Sequence, residues 1–575
     1  MGLRLPAGFT PLAYACPPQA LHRRIKPFNP AISLLPIVAT TSDFDTTQAK
    51  SSTSHVKHSE KILGDDHTND HGHVEGNALI LDREGEIRRV PVPSNDPNDP
   101  LNFSAWERYS VIFCCCWFSL LGLSLAQGLA PILNVMTEMY MPQGYTVDEI
   151  LFLITIPTLC IGLGNYIILP LGLAFGRRPV FLVATIILLG ATIGSAVQNS
   201  YNAHLGTRIV QGLATGAAES LLPLMLTEIT FLHERSRVFG LYWMIQSILG
   251  CVINLSTSYL NHALGWRWFY WLFVITISTG LVFVLLGGFE TQFYRSAASV
   301  DGQLVITDEF GVMHIIPDSE AQAHLDRIQQ REVQQSEGDG VDVPRKKTYL
   351  QRIKLWSTPQ PRPFHVIVTS WLHMAQSLTS PGIIYAILTS SMALGCLVGI
   401  SLTYNEVLIQ EYNWSPESVG LINVASHNRG VHMPEHHLIT IGPPAIIGVG
   451  MLLLYGFTAH GGSTWWGPYM GWTIFQFAFT SIVIISSTFA SEAAPRHPGP
   501  ALVLVIGTKN IVSFGLTYGT TPMIAKHGYE WAFGVLAGIF GGVFLLGFPV
   551  YHLNIKWRAH IAKKDSDREG ASGTV

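Results

Sequence analysis

The sequence predicts an all-α polytopic membrane protein built as two pseudo-symmetric six-helix halves, the second short of one span. Three observations predict it. Of the 575 residues, 48% are hydrophobic and only 13% charged, with a mean hydropathy of +0.30, too apolar for a soluble chain of this length. The apolar residues gather into eleven stretches of about 20 residues or more, and a helix of that length crosses a hydrocarbon core of about 30 Å. A polar, charged interlude over residues 290–363 parts six stretches from the remaining five.

Residues 1–105 read as an amino-terminal cytoplasmic tail rich in Ser, Thr, His and Asp, a composition that buries too little apolar surface to fold. No secretory signal is expected, since Ala31–Thr40 is only mildly apolar, short and Pro-bearing. Within the tail, residues 79–91 alternate apolar and polar around an Asp-x-x-Gly turn, a hairpin pattern. Residues 304–317 repeat it, with Asp82, Gly85 and Pro91 spaced as Asp308, Gly311 and Pro317. Isolated hairpins are marginal in water, so the two are expected to pair into one small sheet.

The first half occupies 106–289, with spans near 110–137, 149–171, 180–199, 204–228, 238–260 and 268–289. The second occupies 364–555, with spans near 382–404, 438–457, 466–489, 499–524 and 531–553, and a tail covers 556–575. Between the outer loop Gln410–Pro416 and the loop His427–His437 only Ser418–His427 remains. That segment reaches about 15 Å as helix, half a bilayer, so the eighth span is expected to be largely missing.

Orientation follows from Lys and Arg. Arg177 and Arg178, Arg235 and Arg237, the run Arg345 to Lys354, and Lys556, Arg558, Lys563 and Lys564 all fall in alternate loops. Met141–Thr146, Asn199–Ala203 and His460–Gly467 carry none. Both termini and the central loop are therefore expected in the cytoplasm. Asn413-Trp-Ser415 is then a glycosylation sequon on an outer loop.

Polar residues inside spans are the functional signal. Arg208 stands about three residues into an otherwise apolar helix. Gln211 and Glu219 lie within about 60° of it on the helix wheel, and Glu219 is about 16 Å deeper. The three form one polar stripe, with Gly212 and Gly216 beside it for close helix approach. Arg208 and Glu219 are too far apart to pair, so both are expected to face a water-filled cavity. Gln127, Asn134, Gln246, Asn254, Gln476, Lys509 and Asn510 are the other polar residues within spans. Lys509 is a candidate partner for a carboxylate between the halves.

Nothing points to an enzyme, a cofactor or nucleic-acid binding. No Ser/His/Asp set, P-loop or zinc spacing occurs. His55, His58, His67, His71 and His73, and His432 with His436 and His437, are expected to hold no metal. The seven Cys residues, three of them consecutive at Cys114–Cys116, read as small buried apolar groups rather than disulfides.

Two blocks of spans about a polar joint are the layout of a secondary transporter of two like halves. Gly176-Arg-Arg-Pro179 between spans two and three and Arg208-Ile-Val-Gln-Gly212 in span four sharpen this. With Asn98–Trp106, Phe231–Arg235, Gly265–Trp268 and Met433–His437, they make residues 75–560 resemble the major facilitator superfamily, in its fungal drug:proton antiporter branch. The resemblance implies the major facilitator fold and proton-coupled efflux of a small organic compound by alternating access. It implies a role for Arg208 in proton coupling and for Gly176, Arg177 and Arg178 as a gating turn. Spans one, four, seven and ten line the cavity in that superfamily, which makes Gln127, Asn134, Glu219, Tyr404, Gln476 and Phe479 cavity candidates. The sequence departs from the turn's pattern at Leu169, Leu173 and Ala174, and Gln246–Asn254 in span five lacks the branch's Gly-Pro pair. Span five therefore says nothing about direction. Uptake of polyamines or organic cations is the alternative transport reading, and a non-transporting receptor or decayed transporter the alternative of another class. The expected partners are a small-molecule substrate, protons and the lipid bilayer, with the chain a monomer in the plasma membrane, or alternatively the vacuolar membrane.

Overall fold

The computed structural model describes residues 94, 96–293, 298–300, 303–307, 313–316, 346–356, 360, 362–407, 441–459, 466–493, 498–551, 553–554 and 557. All belong to one compact unit, Gly72–Val575. The hairpin segment 79–91, the histidine groups, Asn413 and the whole of 408–440, where an eighth span would fall, lie outside the described residues. So does the side chain of Tyr404.

The first half begins with α1 (Ala105–Gln127), started by a reciprocal cap in which Ser104 and Glu107 bond each other's backbone N–H. The rod breaks at Gly128 and Pro131, passes through a 3₁₀ turn (Ala130–Ile132) and resumes as α2 (Leu133–Tyr140). A second capping box, Thr146 with Glu149, opens α3 (Val147–Phe175), which carries Pro157 and Pro170 in its interior. Gly176, at φ 103°, makes the turn into α4 (Arg177–Val197), a backbone angle that a side chain would strain. Then come α5 (Tyr201–Glu219), α6 (Leu221–Glu228), α7 (Leu232–Leu264) and α8 (Arg267–Gly287).

In the central segment β1 (Ala298–Val300), β2 (Gln303–Thr307) and β3 (Met313–Ile316) form an antiparallel sheet, with Leu304 opposite Ile316 and Thr307 opposite Met313. A single turn, α9 (Tyr349–Arg352), precedes α10 (Pro363–Ser377). The second half holds α11 (Pro381–Glu406), α12 (Gly442–Thr458), α13 (Trp466–Ala493) and α14 (Pro498–Leu545).

Among the described residues nine helices are long and apolar enough to cross a membrane. One of them, Gly499–Tyr551, runs 53 residues, about 80 Å as helix, and is divided by Gly528 at φ 81°. It therefore supplies two passes, and α12 is a shorter apolar helix. The fold is that of a polytopic, nearly all-helical membrane protein.

Three packings position the site. α5 lies against α3 so closely that a Cβ on Gly216 would meet the Gly164 carbonyl carbon at 2.7 Å. α1 packs on α7 and α8, and α11 on α13 and α14. The halves meet where α3 packs on α14. There Gly162 faces the Gly507 carbonyl, and the Tyr166 hydroxyl bonds Thr508. Further along, Leu169, Leu173, Leu224 and Val503 share one apolar cluster with Val366 and Met374 of α10.

Candidate functional site

The helix breaks create the first feature. Pro157 has no N–H to give to the carbonyl four residues before it, and α1 ends with its last carbonyls unpaired. Arg208 gathers these orphans. Its Nε donates to Leu153 O at 2.9 Å, Nη1 to Leu125 O at 2.8 Å, and Nη2 to Ala126 O at 2.6 Å. Nη1 also donates to Gln211 Oε1 at 3.1 Å, while Gln211 Nε2 donates to Ser195 Oγ at 2.8 Å. Arg208 has no exposed surface.

This corrects the expectation that Arg208 faces water. The guanidinium is sealed inside the first half, because freed main-chain dipoles satisfy it there without a carboxylate or a cavity. The polar stripe of α5 is accordingly divided. Arg208 and Gln211 bond each other within the helix packing, and Glu219, at the last turn of α5, faces elsewhere.

Glu219 is 4% exposed and is held by the second half. Lys509 Nζ lies 3.0 Å from its Oε1, and Asn510 Nδ2 donates to its Oε2. From α3, Asn165 Nδ2 donates to the same Oε2 at 3.4 Å. Lys509 and Asn510 directly follow Gly507 and Thr508, the residues that touch α3, so the pair sits beside the contact between the two halves.

Beside that pair is a central cavity. α1 and its break contribute Ser124, Gln127 and Pro131; α7 contributes Trp243, Gln246, Ser247, Cys251 and Asn254; α11 contributes Leu397 and Ser401; α13 contributes Trp472, Gln476, Phe479 and Thr480. Glu219, Lys509 and Asn510 complete it. Among the sequence-derived candidates, Gln127, Glu219, Gln476, Phe479 and Lys509 line this space.

Asn134 does not. The break at Gly128–Ile132 re-aims α2, so that the helix-wheel position read from an unbroken span no longer holds. The sequence reading also missed α7 as a wall, with Trp243 and Asn254 on it. The signal was Gln246 and Asn254 eight residues apart, close to one face of a helix.

At the end of the bundle nearer residues 346–360, the Gly176 turn organises a second polar cluster. Arg177 donates from Nη2 to Glu228 Oε1 at 2.7 Å and from Nε to the same oxygen at 3.0 Å. Glu290 accepts the backbone N–H of Arg177 at 3.0 Å and of Arg178 at 3.2 Å, placing a carboxylate at the positive end of α4. The Arg178 guanidinium donates to the carbonyls of Leu285, Gly288, Ile353 and Lys354, tying the end of α8 to the central segment.

The Major Facilitator Superfamily pattern matches residues 112–426, more than half of the chain, and the chain belongs to that superfamily. It is a multi-pass membrane transporter and not an enzyme, and superfamily members bind small-molecule substrates. The chain is 25% identical to an uncharacterized MFS-type transporter of Schizosaccharomyces pombe, across 86% of this chain and 94% of that one. It is 22% identical to Protein HOL1 of Saccharomyces cerevisiae, across 80% and 89%. It is 20% identical to the efflux pump radE of Floropilus chiversii, across 88% and 91%.

Proposed function

We propose that this transporter exports a small organic compound in exchange for protons, by alternating access of the central cavity. The observation that carries the reading is the Glu219–Lys509 pair, a titratable group shared between the two halves at the cavity wall. A proton arriving on Glu219 removes the charge that holds Lys509. The α3–α14 contact beside it loses its electrostatic tie, and the halves can part there. Loss of the proton restores the pair and closes it again.

Arg208 serves this cycle as a fixed cation, holding the broken α1 against α3 and α5. The Gly176, Arg177 and Arg178 turn ties the start of α4 to Glu228 and Glu290, with Glu228 as its counter-charge. With the Arg- and Lys-bearing loops in the cytoplasm, the α3–α14 contact serves this cycle as the cytoplasmic gate. The efflux direction is supported by the likeness to the efflux pump radE, and the plasma membrane is its natural site.

Everted membrane vesicles containing the full chain test this with a panel of neutral and cationic fluorescent aromatic compounds. Accumulation of at least one compound driven by an acid interior, abolished by a protonophore and by Glu219→Gln, is expected. Accumulation that ignores the gradient, or that runs only with an alkaline interior, would refute proton-coupled export.

A further inference from the structure

We infer that residues 346–356 form a docking surface for anionic phospholipid of the cytoplasmic leaflet, with Lys346, Lys347 and Lys354 meeting the headgroups. The inference concerns the central segment and stands apart from the direction and coupling of transport.

The segment is fastened to the rim of the first half. Tyr349 on α9 donates its hydroxyl to the Leu286 carbonyl at 2.7 Å, and its ring meets Phe289 edge-on at 6.0 Å. Arg352 pairs with Glu107 in the first turn of α1 and lies over the Phe103 ring. Arg178 takes the carbonyls of Ile353 and Lys354, and the Lys347 N–H donates to Asn98 Oδ1 at 2.9 Å. α8 is a rim helix, with only 33% of its crossing window buried and Leu286 exposed in its last turn. Trp106 and Tyr109, exposed in the first two turns of α1, mark the membrane–water boundary, where such rings gather. The segment is therefore held at headgroup depth.

Its composition suits that place. Residues 346–356 hold four basic residues and no acidic one. Glu107 takes Arg352, while Lys346, Lys347 and Lys354 are exposed. Leu350 is 74% and Trp356 78% exposed, and Tyr349 and Leu355 are exposed as well. None of the four belongs to a membrane-crossing helix, so in water they would stand as bare apolar surface. A segment lying in the interface resolves both features. Leu and Trp enter the boundary of the acyl chains, and lysines on flexible stems reach the headgroups. With the Arg- and Lys-bearing loops in the cytoplasm, the facing leaflet is the anionic one, which attracts basic segments beside it. An acidic protein would satisfy the lysines alone; lipid satisfies the lysines and the apolar side chains together.

The test places the full chain in phosphatidylcholine nanodiscs, with bromine on the acyl chains of either added phosphatidylserine or the phosphatidylcholine. Subtracting the emission of Trp356→Phe from that of the wild type isolates Trp356. Both brominated lipids are expected to quench it, phosphatidylserine at a mole fraction about tenfold or more lower. Lys346→Gln, Lys347→Gln and Lys354→Gln should each raise the half-quenching fraction of phosphatidylserine, by up to about fivefold. Quenching by brominated phosphatidylcholine should stay unchanged in all three, which also shows that the segment remains in place. Inorganic phosphate should compete no better than chloride of equal ionic strength. Quenching by neither lipid, as for a segment in water or covered by a second copy or another protein, would overturn the inference. So would equal quenching by the two lipids, or a phosphatidylserine preference that survives loss of all three lysines. A lysine variant that loses quenching by both lipids would overturn that residue's assignment as a headgroup contact.

Discussion

Arg208 donates from Nε to the Leu153 carbonyl at 2.9 Å, the carbonyl that Pro157 leaves without a helical N–H. An arginine on one helix thus repairs a proline break in its neighbour, and the same guanidinium repairs the end of α1. Arg208→Leu should therefore lower stability by about 3 kcal/mol or more, since three buried carbonyls lose their donors. Adding Pro157→Ala to that variant should return about 1 kcal/mol by supplying the missing N–H, with no such gain in the wild-type background. Thermal unfolding in mild detergent measures the cycle. Equal effects of Pro157→Ala in both backgrounds would refute the relationship.

The same logic recurs at Pro170. It frees the Tyr166 carbonyl, and Trp371 on α10 donates its indole N–H there at 3.0 Å. Trp371→Phe keeps the ring and removes the donor, so a loss of about 1 kcal/mol is expected. Faster amide exchange across α10 should accompany it. Exchange unchanged from wild type would mean that the indole bond does not anchor the helix.

Glu219 and Lys509 should couple strongly. Lys509→Met leaves a buried carboxylate without its cation and should cost about 3–5 kcal/mol. Glu219→Gln combined with Lys509→Met removes both charges and should recover most of that loss while abolishing any proton dependence of transport. If the double variant unfolds as readily as Lys509→Met alone, the two side chains do not act as a pair.

Arg178 spreads one guanidinium over the carbonyls of Leu285, Gly288, Ile353 and Lys354. Lysine carries the charge but not the fork. Arg178→Lys should cost about 2 kcal/mol, and hydrogen exchange should rise in residues 346–354 before it rises in α4. Protection retained in that segment would show that other contacts hold it.

Much of the architecture was legible because lipid sets the length of every crossing. Apolar stretches of fixed minimum length were bound to become helices, and α3, α7, α8 and α13 lie where the hydropathy placed them. The site was legible only in part. An arginine in an apolar helix announced that it needed partners, yet main-chain carbonyls freed by a proline in another helix form no motif. Lys509 could be named as seeking a carboxylate, but Glu219 lies 290 positions away, and only the α3–α14 packing brings their two helices together.

What the amino-acid sequence determined alone was the membrane class, the number and position of the apolar crossings before residue 408, the superfamily and the residues whose burial would be expensive. What tertiary structure decided was which of those residues met water and which met protein. Arg208 went to carbonyls and Glu219 to the cavity because packing between helices sets the carbonyls freed at the end of α1 and at Pro157 against the one, and α14 against the other. Periodicity along one helix describes its faces, but it does not say which neighbour each face will meet.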